Sequence, residues 1–248
     1  MKNLKIIVEY DGSSYFGWQI QPDKTTIQGL LSNAVAQITN VPVETVSIIG
    51  SGRTDAGVHA LGQTANFFTE TKIPLMQLKK GLNSVLPNDV VIRHIQEVSP
   101  EFNSRKNAIS KKYRYIILNR KFPTALDRNR VYYLDRSLDL FKMKDATKYF
   151  VGEKDFASFM GSGSDVKSTI RRVNSFEMII LKDGYIVFEI TATGFLKHMV
   201  RNIMGTIIEI GLGKKSIYDI DKIFKGKNRM LAGPTAAPYG LYLVNVNY

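Results

Sequence analysis

Read for apolar periodicity, the chain runs twice through the order strand, helix, strand, strand, helix, strand, which narrows the folds open to it. In the first half, Lys5 to Tyr10 reads as a strand. Ile27, Leu30, Leu31, Ala34, Val35 and Ile38 fall at helical spacing, with Thr25 and Gln28 placed as a capping box. Val46 to Ile49 and Thr64 to Thr69 read as strands either side of a glycine-rich loop. Pro74 stands where a helix carrying Leu75, Leu78, Leu82 and Val85 can begin, and Val90 to Val98 reads as a strand.

The second half repeats the order of elements but not the residues. Ile109 to Leu118 reads as a strand and Leu138 to Phe150 as a helix. Val173 to Leu181 and Tyr185 to Ala192 read as strands joined by the hairpin signal Lys182-Asp183-Gly184. Leu196, Met199, Val200, Ile203, Ile207 and Ile208 mark a helix ending near Gly211 or Gly213, and Leu241 to Val246 a closing strand. Two β-α-β-β-α-β halves predict an α+β protein built of two ferredoxin-like units. The join is expected between Ser99-Pro100 and Ser110, giving an N-terminal half over 1–105 and a C-terminal half over 106–248. Gly161-Ser162-Gly163-Ser164 reads as a mobile surface loop.

With 248 residues, 44% of them hydrophobic, the chain can bury a sizeable core as one large domain or two small ones. Its net charge of +12 points to nucleic acid or an acidic membrane surface as partner. No apolar run approaches the roughly 18 residues of a membrane span. The start, Met1-Lys2-Asn3-Leu4-Lys5, lacks a signal-peptide stretch, so the cytoplasm is the expected location. Without cysteine there is no disulfide, thiolate nucleophile or thiolate metal site. His59, His94 and His198 are scattered.

Residues Gly50 to Gln63 read G-S-G-R-T-D-A-G-V-H-A-L-G-Q. Gly50, Gly52, Gly57 and Gly62 allow backbone conformations closed to other residues and a close approach by a ligand. Asp55 is either a turn or helix-cap aspartate, as is common beside glycine, or a reactive carboxylate held ionised by Arg53 two residues away. A phosphate-binding P-loop requires a Gly-Lys-Ser/Thr ending that is absent here. His59 follows Asp55 by four residues, so a helix would put both on one face, but no third metal ligand stands nearby.

Two other segments carry candidate chemistry. Seven basic residues, Arg105, Lys106, Lys111, Lys112, Arg114, Arg120 and Lys121, surround Tyr113, and no acid occurs from Phe102 to Leu126. On a strand, Tyr113 and Tyr115 share a face with Lys111, while Lys112 and Arg114 point the other way. The segment is either a solvated strand edge whose lysines block aggregation or a surface where cations meet phosphates and Tyr113 stacks on an unstacked base. Arg201 sits just off the apolar stripe of its helix. It is either a snorkelling arginine or one reaching for a carboxylate or phosphate, and Lys197 and His198 precede it by about one turn.

Together these segments resemble the TruA-type tRNA pseudouridine synthases from end to end. Tyr10 to Gln21 with Thr26-Ile27-Gln28-Gly29 is similar to the family's opening motif, Gly50 to Gln63 to its catalytic loop, and Lys112 to Tyr115 to its tyrosine strand. Gly152 to Phe159 with Thr169-Ile170-Arg171 resembles its mid-chain motif. Phe195 to Gly205 resembles its arginine helix, and Ala232-Gly233-Pro234-Thr235 its C-terminal loop. Ser104 replaces a usual alanine, and Pro238 falls one place later than usual.

The resemblance implies a pseudouridine synthase fold, with a central, mainly antiparallel sheet and a cleft between the halves. It implies isomerisation of uridine to pseudouridine at positions 38, 39 and 40 of the tRNA anticodon arm, by a homodimer needing no cofactor and no metal. Asp55 would be the catalytic residue, supported by Arg53 and Arg201. Tyr113 would bind the target base, and Lys111, Lys112, Arg105, Lys197 and His198 would contact RNA. Rival readings are a synthase for another structured RNA such as rRNA and a non-catalytic RNA-binding module. A metal-dependent nuclease would show clustered carboxylates or histidines, which the sequence lacks.

Overall fold

A computed structural model describes residues 1–163 and 166–248. In chain order its elements are β1 (Lys2–Tyr10), α1 (Ile27–Thr39), β2 (Ile49–Gly50), β3 (His59–Thr69), α2 (Leu75–Val85), β4 (Val90–Val98), β5 (Ser110–Asn119), β6 (Tyr132–Leu134), α3 (Leu140–Lys148), β7 (Gly152–Asp155), β8 (Ile170–Ile180), β9 (Tyr185–Ala192), α4 (Met199–Gly211), α5 (Asp219–Gly226) and β10 (Leu241–Asn247). The protein is of mixed α+β class, its sheet mostly antiparallel. The chain divides into two compact units, Met1–Ile109 with Tyr242–Tyr248, and Ser110–Leu241.

In the first unit, β1 alternates as a half-buried strand should. Leu4, Ile6, Val8 and Tyr10 are buried on one face. The strands lie in the order β4-β1-β3-β2, all antiparallel, and β10 runs parallel to β3 through Tyr242 opposite His59. α1 buries Ile27, Leu31, Ala34 and Val35, and α2 buries Leu78 and Leu82. α1 ends on Asn40 in a left-handed conformation (φ 54°), a common helix stop.

Two local expectations are corrected. The strand expected over Val46 to Ile49 shrinks to Ile49–Gly50. Val43–Thr45 instead forms a 3-10 turn, closed by the Val46 amide on the Val43 carbonyl at 3.0 Å, so the chain reaches the sheet late. The α1 cap is Thr26 rather than Thr25, its Oγ1 accepting from the Gly29 amide at 3.3 Å. Gly29 has no side chain to complete a capping box. Gln28 turns elsewhere, donating from Nε2 to the Ile48 carbonyl at 2.8 Å.

In the second unit the strands lie β5-β9-β8-β7, antiparallel throughout, with β6 parallel to β5. The β8–β9 hairpin turns at Asp183 (φ 57°) and Gly184 (φ 81°). A Cβ on Gly184 would lie 2.4 Å from the Asn119 carbonyl oxygen, so the turn requires glycine. α4 buries Met199, Val200, Ile203, Met204, Ile207, Ile208 and Ile210. It starts at Met199, not at Leu196, because His198 is left-handed (φ 58°) and interrupts the periodic run. Phe156, Phe159 and Phe224 pack ring on ring, Phe159 and Phe224 at 5.2 Å. Of the loop expected over Gly161 to Ser164, Gly161 is buried and Ser162 and Gly163 are exposed, while Ser164 lies outside the described residues. Among the described residues no helix is long and apolar enough to cross a membrane.

Candidate active site

The Asp55 loop leaves β2 and enters β3, and the folded chain braces it from its base upward. Ser51 returns to the sheet through its amide on the Thr64 carbonyl at 2.8 Å. The Ser51 hydroxyl donates to Gln63 Oε1 at 2.6 Å, and Gln63 Nε2 donates to the Gly52 carbonyl at 2.8 Å. Both side chains are fully buried, so water is not at hand to replace the bond between them if either were lost.

The opposite wall is the segment from Tyr10 to Gln19. The Tyr10 hydroxyl meets Thr54 Oγ1 at 2.8 Å, and the Trp18 amide donates to the Thr54 carbonyl at 3.1 Å. Burial pushes the Tyr10 hydroxyl well above its ordinary pKa, so it stays protonated. Gly17 (φ 84°) lies so close that a Cβ there would sit 2.4 Å from the Thr54 carbonyl oxygen and 2.9 Å from the Asp55 carbonyl carbon. The Gly57 amide donates to the Tyr15 carbonyl at 3.3 Å, and the Val58 amide closes the turn on the Asp55 carbonyl at 3.2 Å. Asp55 itself is half-buried and Arg53 exposed. Arg53 Nε donates to Gln19 Oε1 at 3.0 Å, so Gln19 helps set the direction of the guanidinium. His59 begins β3 rather than continuing a helix with Asp55. Among the described residues no three His, Asp or Glu side chains gather as metal ligands.

In the second unit, Tyr113, Tyr115 and Ile117 bury one face of β5. The Tyr113 ring meets the Phe195 ring edge-on at 4.9 Å, tying the tyrosine strand to the segment that leads into α4. On the other face Lys112 and Arg114 share Glu189, at 3.2 and 2.6 Å. Partial burial works to raise the Glu189 carboxyl, but hydrogen bonds from Arg114 and Lys112 outweigh it and hold it below its ordinary range. Tyr115 donates to the Ala237 carbonyl at 2.9 Å. Its pKa is pushed well up, first by burial and then by Tyr132 and Tyr239, against the opposing charge of Arg201.

Arg201 projects from α4, half-buried, and donates from Nε to the Ala236 carbonyl at 2.8 Å. The loop that supplies Ala236 packs on the helix with almost no clearance. A Cβ on Gly205 would lie 1.7 Å from the Pro234 carbonyl oxygen. Next to Arg201, Asn202 Oδ1 accepts from Arg229 at 2.9 Å and from the Thr235 hydroxyl at 2.7 Å. Lys197 Nζ donates to the Ser162 carbonyl at 2.9 Å, and Gly161 lies against the His198 ring. Arg105 is exposed in a turn of the first unit, its amide held by Asn103. The neighbouring Ser104, where the resemblance suggests alanine, is buried and donates its hydroxyl to the Ile49 carbonyl.

The structure thus groups Asp55, Arg53 and Gln19 in one unit, and Tyr113, Phe195, Arg201 and Ala236 in the other. The bracing residues Gly17, Gln19, Gln63, Asn202, Arg229 and Thr235 were not singled out from the sequence. All of them except Arg229 do lie in motifs that carry the family resemblance, which was the available signal for them.

The family described as tRNA pseudouridine synthase matches residues 6–105 and 146–248. The protein named tRNA pseudouridine synthase A of Caldicellulosiruptor saccharolyticus is 48% identical over 248 residues, covering 100% of both chains. Proteins of the same name from Caldicellulosiruptor bescii and Acetivibrio thermocellus are 47% and 44% identical, again over 100% of both chains. Tyr113 falls between the two stretches that the family match covers, but within these full-length similarities. The chain belongs to the TruA family of tRNA pseudouridine synthases.

Proposed function

We propose that this protein isomerises uridine to pseudouridine in tRNA, at positions 38, 39 and 40 of the anticodon arm, with Asp55 as its catalytic residue. The observation that carries the reading is the two-sided bracing of the Asp55 loop in a chain similar to synthases along its whole length. Bracing the backbone on both sides of Asp55 pre-organises the position from which its carboxylate acts, and pre-organisation lowers a reaction barrier without reorganisation during the reaction.

The reaction breaks the N1–C1′ bond, turns the uracil over in place, and joins C5 to C1′. The C5 proton leaves to solvent and N1 gains one. Asp55 acts at the sugar. Arg53 and Arg201 supply positive charge for the carboxylate, phosphate or base, and Tyr113 stacks on the target base. Lys111, Lys112, Arg105, Lys197 and His198 are the proposed RNA contacts, with Lys112 shared between RNA and Glu189. Extracting the base from its stack costs roughly a few kcal/mol, which cationic contacts along the RNA offset. The proposal includes a homodimer working on tRNA in the cytoplasm. It also keeps two ferredoxin-like halves, 1–105 with the aspartate loop and 106–248 with the tyrosine strand and arginine helix. The β4-β1-β3-β2 order of the first unit supports that division.

The test is tritium release from tRNA labelled at uridine C5, without added metal or cofactor, for wild type and Asp55→Ala, with RNA binding measured for both. Release by wild type alone, with binding retained by both, supports the reading. Tight tRNA binding without release directs the search to another structured RNA, and unchanged modification in Asp55→Ala overturns the role of Asp55.

A further inference from the structure

We propose that His59 is a positioning residue for Asp55, acting through the lone pair of its Nδ1. The inference rests on Asp55 being the catalytic aspartate. His59 stands where the loop becomes β3 and is almost fully buried, 2% exposed. The Gly12 amide, also buried, donates to His59 Nδ1 at 3.0 Å. In that arrangement Nδ1 is the acceptor and the ring hydrogen lies on Nε2; a proton on Nδ1 would instead face Asp11 Oδ1, 3.2 Å away.

Three contacts fix the ring and its partner. Tyr242 stacks on the imidazole at 4.7 Å and 25°. Asp11 Oδ1 lies 3.2 Å from the same Nδ1 and accepts from the Ser13 amide at 3.0 Å and the Ser13 hydroxyl at 2.5 Å. Gly12 touches the loop directly, because a Cβ there would lie 2.0 Å from the Val58 carbonyl oxygen. Val58 in turn donates its amide to the Asp55 carbonyl at 3.2 Å. The chain of contacts therefore runs from His59 through Gly12 and Val58 to the backbone of Asp55. Gly17, Trp18 and Tyr10 hold the loop at Thr54, before the aspartate, and His59 holds its exit.

Asparagine and glutamine separate this role from others. The Asn amide oxygen lies at the position of Nδ1 along the side chain, while the Gln amide lies at that of Nε2. His59→Ala and His59→Gln should lower kcat for tritium release by roughly 10- to 100-fold with KM and RNA Kd unchanged, the scale of a small misplacement. His59→Asn should recover most of that loss. Hydrogen exchange at the Val58 amide gives a readout independent of activity, with protection lost in the Ala and Gln variants and kept in Asn. Full activity in His59→Ala, or equal loss in the Asn and Gln variants, overturns the proposal. If wild type releases no tritium, the reading of the function fails. Unequal Val58 exchange in the Asn and Gln variants then still upholds the anchoring of the loop, and equal exchange overturns it.

Discussion

Arg201 and Ala236 hold one another by a reciprocal pair of hydrogen bonds. The Arg201 Nε donates to the Ala236 carbonyl at 2.8 Å, and the Ala236 amide donates to the Arg201 carbonyl at 3.0 Å. One bond fixes the guanidinium and the other fixes the loop to the helix, so side-chain direction and loop position are set together. The Asn202, Arg229 and Thr235 cluster holds the same loop from its other end.

Lysine, with a single terminal ammonium, cannot bind the Ala236 carbonyl through an inner N–H and also present the outer planar fork of a guanidinium. Arg201→Lys is expected to lower kcat/KM by about 10- to 100-fold, a cost of roughly 1.4–2.7 kcal/mol in transition-state stabilisation. Thermal unfolding should change little. Single-turnover kinetics with a tRNA transcript measure the loss, and wild-type rates in Arg201→Lys would show that the fork is dispensable.

Gly17 and Gly152 both have positive φ, 84° and 100°, but only Gly17 has backbone where a Cβ would go. Alanine at Gly152 meets nothing within 4 Å and should cost about 1–2 kcal/mol of backbone strain. Alanine at Gly17 adds a collision with the Thr54 carbonyl and should cost more while also reducing turnover. Urea midpoints of the two variants, measured beside tritium release, check the difference. Equal destabilisation would mean that the loop yields freely.

Gln63 answers two polar groups at once, the buried Ser51 hydroxyl and the part-buried Gly52 carbonyl. Gln63→Leu leaves both without this partner and should destabilise the fold by about 1–3 kcal/mol for each group. Gln63→Glu keeps an acceptor for Ser51 but puts a carboxyl at a fully buried position, so its destabilisation should grow as pH rises and the carboxyl must ionise, unlike that of Leu. Denaturant unfolding over a range of pH compares the three proteins.

Glu189 links acidity to stability. Its carboxyl is held below the ordinary 4.5, so its contribution is present above that value and fades as pH falls through the lowered folded-state pKa. Wild type should exceed Glu189→Gln in unfolding midpoint at pH 7, and the two should converge as pH falls below 4.5 and through the lowered folded-state pKa. The same substitution releases Lys112 and Arg114 from a shared counter-charge. If that face of β5 meets RNA, log Kd should depend more steeply on log salt in the variant. An unchanged slope would remove Lys112 from the proposed contacts.

The local elements were legible in the sequence because their causes are local. The 3.6-residue stripes of α1, α2 and α4, the alternation in β1 and the Lys182-Asp183-Gly184 turn depend on neighbours a few residues away. The three- and four-residue strands β6 and β7 were missed because segments that short carry no period. α5 did carry a signal, with Asp219 and Asp221 in its first turn and Lys225 in its last.

By itself, the sequence determined the glycine-rich loop around Asp55, the tyrosine strand with its cations, the arginine helix and, through their shared order, the family. Only the tertiary structure decided what holds these groups. Tyr10 reaches Thr54 across 44 positions, Gly12 reaches His59 across 47, and Arg229 reaches Asn202 across 27. Such bonds depend on which buried donor finds which acceptor once the core closes. No spacing rule along the chain encodes that, because the partners become neighbours only through packing.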